Sequence, residues 1–166
     1  MLLISKIVSG FTPSLLENKK IECFELEWYE TTKRILRKKT NTGTDVALKR
    51  SNTEPMNQDD ILFIDDNKAI LVTILPCQCI CLSPKTMIEM GSICYDIGNK
   101  HIPVFLEESK VLIPYDKPTF EQFQKMGYEP IITQQKLTNA LRTNIPQHEH
   151  IDDKEGFFNK IMKLTQ

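Results

Sequence analysis

The chain has 166 residues, enough for one ordinary domain or two small ones. With 40% hydrophobic residues, 26% charged residues and only 6 Gly it is neither disordered nor collagen-like, and no apolar run approaches the about 18 residues of a membrane span. Lys plus Arg is 21 against 22 Asp plus Glu, a net charge of -1 that gives no global pull toward nucleic acid or an anionic membrane.

The stretch up to Leu75 reads as β. Leu2 to Val8 is a short apolar run without the basic leader, long apolar core or cleavage site of a secretion signal, so it reads as a first strand in a cytoplasmic protein. Glu22 to Trp28 alternates with period two, the mark of a half-buried strand. Residues 33–50 read as a hairpin around the turn signal Asn41-Thr42-Gly43-Thr44. Asn52 to Asp60 is a loop, and Ile61 to Leu75 makes a second hairpin around Asp65-Asp66-Asn67-Lys68. Short strands with regular turns predict a small antiparallel sandwich or barrel over residues 1–75.

Pro76 marks the boundary to a second domain, residues 76–142. Cys77 to Leu82 is a strand. Ser83-Pro84 predicts a helix start, with Met87, Met90, Cys94 and Ile97 as the buried stripe and Gly98-Asn99 as a left-handed cap. Ile102 to Leu106 and Val111 to Tyr115 are strands. A second helix begins at Asp116 to Thr119, with capping-box spacing between Thr119 and Gln122, and stops at Gly127. Ile131-Ile132-Thr133 is the last strand. The order β-α-β-β-α-β is the ferredoxin-like motif, so the predicted class is α+β. Residues 143–166 read as a flexible polar tail carrying His148 and His150, with Phe157, Phe158, Ile161 and Leu164 as a terminal amphipathic turn.

There is no Gly-rich phosphate loop, no nucleophile–base pair and no preorganised acid–base set, so an enzyme is the least favoured class. The 3 His are the informative residues. If the first helix continues through Lys100, His101 shares the stripe of Met87 and Cys94. It is then either a helix-terminal histidine favouring the dipole or a metal ligand. One imidazole is too few for a tight site, but on a twofold axis a residue meets its own copy. Imidazole suits Zn, Cu, Ni and Fe. His148 and His150 are either chance residues of a polar tail or further ligands. The 5 Cys are an odd number, read as thiols in a reducing compartment; Cys77, Cys79 and Cys81 are spaced for core packing and match zinc motifs poorly. Lys33, Arg34, Arg37, Lys38 and Lys39 read as a solvated strand edge, with an acidic surface or RNA as the other reading.

Tyr95-Asp96-Ile97-Gly98-Asn99-Lys100-His101 resembles the Gly-Asn-Arg-His signature of the UreE family of urease accessory proteins, which are nickel metallochaperones. Leu26-Glu27-Trp28 with Lys33-Arg34, Gly43 to Leu48, Asp59 to Leu62, and Tyr115 to Pro118 with Met126-Gly127 are similar to further family segments in the same order. The likeness spans about residues 1 to 135. It implies an N-terminal peptide-binding-like β domain, a C-terminal ferredoxin-like domain, and a homodimer through the latter. It also implies Ni2+ held by two copies of His101 with tail histidines completing the shell; Zn2+ or Cu2+ can substitute. The implied partners are the urease accessory GTPase and the urease activation complex. Lys100 stands where the family has Arg, and Lys117 where many members have His. The competing reading is an RNA-associated β-barrel and ferredoxin-like factor using residues 33–39; the balanced charge and missing aromatic RNA-binding pattern disfavour it.

Overall fold

The computed structural model describes residues 1–7 and 13–141. His148, His150 and the Phe157 to Leu164 turn lie outside the described residues. Within them the chain runs β1 (Leu2–Ile4), β2 (Lys20–Leu26), β3 (Ile35–Lys39), β4 (Asp45–Lys49), β5 (Ile61–Ile64), β6 (Lys68–Ile74), β7 (Cys77–Leu82), α1 (Met87–Asn99), β8 (Phe105–Glu107), β9 (Lys110–Pro114), α2 (Lys117–Lys125) and β10 (Ile131–Gln135). The class is α+β, a β-rich N-terminal region followed by a sheet with two helices.

The first six strands form two three-stranded sheets, ordered β1-β4-β3 and β2-β6-β5. Both predicted hairpins are present and antiparallel. The sheets are not antiparallel throughout, as the sequence led us to expect: β1 runs parallel to β4, and β2 parallel to β6. Turn residues dictate only the pairing of neighbours in sequence; β1 and β2 join from a distance, where no local turn sets direction. The two sheets share one core. Ile4, Phe24, Leu26, Val46, Leu48, Met56, Ile70, Val72 and Ile74 meet there. Fully burying such a side chain contributes about 1.5–3 kcal/mol. β2 shows the period-two pattern, with Glu22, Phe24 and Leu26 turned inward. Trp28 leaves the strand and begins a short 3-10 turn, Trp28–Glu30.

Glu22 is the polar exception in that core. Its carboxylate accepts from Thr40 Oγ1 at 2.9 Å and from Lys68 Nζ at 3.2 Å, tying the β3–β4 turn to the other sheet. The hydroxyls of Thr44, Thr42 and Thr40, together with Lys68, outweigh the cost of burial and hold the carboxyl down at about 2.

The remaining strands form a four-stranded sheet ordered β10-β7-β9-β8, antiparallel throughout, which is the ferredoxin-like order. Both helices pack on one face, where Ile80, Leu82, Ile93, Ile97, Val111, Ile113 and Phe123 form the core. The opposite face carries Cys79, Cys81, Phe105 and Leu112, with Leu137, Trp28 and Cys77 against them. Trp28 meets Phe105 edge-on, with ring centroids 5.8 Å apart.

Three boundary expectations are corrected. α1 begins at Met87, not at Ser83-Pro84, because Thr86 is the cap: its hydroxyl accepts from the Glu89 amide at 3.1 Å. Met87 is therefore in the first turn and 84% exposed; the inward stripe is Ile93 and Ile97, flanked by Met90 and Cys94. α2 is capped by Asp116, which accepts from the Thr119 amide at 3.0 Å, not by a Thr119–Gln122 box. Gly98 and Asn99 remain helical, and the left-handed residue lies two positions later.

Candidate metal centre

That left-handed residue is His101, with φ of 56°. The His101 N–H donates to the Gly98 carbonyl at 3.0 Å, and the Ile102 N–H to the Ile97 carbonyl at 3.4 Å. α2 closes in the same manner: Gly127, φ 86°, donates to the Gln124 carbonyl at 3.0 Å and Tyr128 to that of Phe123 at 3.1 Å. These paired bonds satisfy carbonyls a helix end leaves open, and the turning residue is ordinarily glycine. α2 follows the rule and α1 breaks it. A side chain in this conformation costs on the order of 1 kcal/mol.

His101 is held there by its neighbours. Ile102 packs against the core beside Ile97. Lys100 reaches back over α2: its ammonium stands 5.9 Å from the Phe123 ring centroid and donates to Gln122 Oε1. With the residues on both sides fixed, the backbone turns sharply and leaves His101 exposed to solvent. The imidazole does not join the inward stripe of α1, because the helix stops at Asn99. The sequence did carry a signal for this: Ile97 and Ile102, five positions apart, and Pro103 just beyond are the hallmarks of a left-handed helix end at residue 101.

The outward side of α1 is apolar. Ile88 and Tyr95 are 83% and 70% exposed, and Met126 at the end of α2 is 45% exposed. With Gly91 and Ser92 they line a wide depression of about 640 Å³. Such a surface is suited to contact with another molecule.

The other candidates fall elsewhere. Cys79 and Cys81 are buried in apolar packing; burial pushes the Cys77 thiol up and the Cys79 thiol up to about 11, which favours the protonated form of those two. Among the described residues no three His, Cys, Asp or Glu side chains gather as a metal site, so within them His101 stands as a single donor. In the basic cluster, Lys38 and Lys33 pair with Glu30 at 2.8 and 3.4 Å, and Arg37 pairs with Asp45 at 2.7 Å. That internal pairing reduces what residues 33–39 can offer to RNA. Lys117 pairs with Glu121 at 3.7 Å. Among the described residues, no helix is long and apolar enough to cross a membrane.

Two small β sheets followed by a ferredoxin-like sheet, with one histidine exposed at a helix end, define an α+β protein. A family model described as the N-terminal domain of the UreE urease accessory protein matches residues 12–75. The chain is 36% identical over 166 residues to a urease accessory protein UreE of Flavobacterium johnsoniae, covering 99% of this chain and all of that one. It is 43% identical over 150 residues to UreE of Haemophilus influenzae, covering 87% and 81%, and 34% identical over 149 residues to UreE of Acetivibrio thermocellus, covering 90% and 97%. The chain belongs to the UreE family of urease accessory proteins, which are distinct from urease itself.

Proposed function

We propose that the protein is a nickel-binding metallochaperone of the cytoplasm that delivers Ni2+ for assembly of the urease metallocentre. Two copies associate through residues 76–142, and the ion is gripped by one His101 from each across the twofold axis. His148 and His150, in the tail 143–166, complete the shell, and Zn2+ or Cu2+ can substitute. Residues 1–75 form the second domain. The partners are the urease accessory GTPase and the urease activation complex.

The observation that carries this reading is His101 itself. It is solvent-exposed, and it occupies a helix-end position that glycine fills at lower cost, at the end of a helix whose outward side exposes Ile88 and Tyr95. A single imidazole binds weakly; two on a symmetry axis double the donors without adding a residue. A site open to solvent and completed by tail ligands can be emptied by a partner without unfolding a domain. Imidazole must be neutral to bind metal, so affinity falls with acid.

Calorimetry on the full chain tests this. Wild type should bind one tight nickel per dimer. His101→Ala should lose that site with its mass in solution unchanged, and truncation after Pro146 should weaken affinity or change coordination number with the dimer intact. Undiminished tight binding by His101→Ala refutes the assignment, as does equal affinity at about pH 5.5 and pH 7.5.

A further inference from the structure

We infer that the outer face and open edge of β3 form a docking site for an extended acidic segment of a partner protein, which joins the sheet as a fourth strand. β3 is the terminal strand of the sheet β1-β4-β3. The Arg50 N–H donates to the Arg34 carbonyl at 2.8 Å, and the Thr40 N–H to the Thr44 carbonyl at 2.9 Å. Antiparallel pairs alternate, so the even positions 34 to 40 bond to β4, while Ile35, Arg37 and Lys39 turn their N–H and C=O groups to the open edge.

The same three residues share the solvent-facing side of the sheet with Lys49, Ala47 and Asp45 across the register, and with Leu3 beyond Ala47. On that face Ile35 is 76% and Leu3 67% exposed. Lysines usually guard such an edge, but a guarded edge has no reason to carry an isoleucine at its start. β3 is also regular against β4 and contains no proline, so neither a bulge nor a missing donor blocks strand addition.

Charge decides the occupant. Asp45 is taken by Arg37, and Glu30 by Lys33 and Lys38. Asp45 also stands opposite Lys39 in the register, and Lys49 forms no ion pair among the described residues, so Arg37, Lys39 and Lys49 face a single carboxylate and the face keeps a positive excess beside two aliphatic side chains. This fits a strand carrying carboxylates and small apolar residues. RNA is disfavoured because Leu3, Ile35 and Ala47 offer no aromatic ring on which a base could stack.

The test uses isotopically labelled full-length protein and a blocked seven-residue peptide alternating glutamate with valine. Amide signals of Ile35, Arg37 and Lys39 should shift and gain protection from hydrogen exchange. The same peptide with lysine for glutamate should bind about tenfold more weakly. Lys39→Glu with Lys49→Glu, both at exposed positions, should invert that preference. Ile35→Pro should abolish binding, since its N–H makes no ladder bond; if it fails to fold, the charge-reversed protein still decides. Equal binding of the two peptides, shifts confined to another surface, silence at millimolar peptide, or stronger shifts of these amides by single-stranded RNA would each overturn the inference.

Discussion

Replacing His101 by glycine should act in opposite directions on the empty and the metal-loaded protein. His101 has the same closing hydrogen bonds as Gly127, yet holds φ at 56° with a side chain attached. Relief of the left-handed strain is worth about 1 to 2 kcal/mol, from which the greater freedom of glycine in the unfolded chain removes about 0.5 to 1. Histidine tolerates this conformation better than most residues, so a net gain of about 0.5 kcal/mol is the expectation. With a urea slope of about 2 kcal/mol per molar, the midpoint in chelator should rise by about 0.25 M at constant slope. His101→Ala keeps the strained backbone and should show no such rise. With nickel at about a hundred times its dissociation constant, wild type should gain about 2.7 kcal/mol and both variants almost none. The order of stabilities thus reverses when metal is added. A glycine variant less stable than wild type in chelator refutes the strain; a glycine variant that still gains stability from nickel refutes the ligand.

Gly127→Ala is the mirror experiment: it places a side chain at φ 86° and should cost about 1 kcal/mol, read by the same urea titration. Glu22 makes the acid limb of stability specific. Its folded carboxyl lies at about 2 against an ordinary 4.5, so its contribution is complete above the ordinary value and is lost as pH falls through that window toward 2. Glu22→Gln should lower stability at neutral pH by about 2–3 kcal/mol and flatten the fall below pH 4.5, measured by thermal unfolding across pH.

What could be read from the chain beforehand was whatever rests on neighbours in sequence. The hairpins of β3–β4 and β5–β6, the strand Cys77–Leu82, the stop at Gly127 and the βαββαβ order all follow from turn residues and periodicity. The parallel docking of β1 and β2 depends on which distant edge is free, and no local residue encodes it. The start of α1 is ambiguous in the sequence because Ser83-Pro84 and Thr86 both satisfy the capping preference; only the bond to Glu89 separates them. The left-handed position falls on His101 and not on Gly98-Asn99, since composition favours glycine where packing of Ile102 has the last word.

The two N-terminal sheets repeat one plan, a tight hairpin to which a solitary strand is added alongside the hairpin's second member. Hairpins close in microseconds, whereas β1 and β2 must find partners roughly 45 positions away and bear the larger loop-closure entropy. Assembly order is therefore built into the connectivity: the hairpins come first and the lone strands are recruited late. Ile4, on the short β1, sits at the late end of that sequence, so trimming it should quicken unfolding while leaving the folding rate nearly untouched.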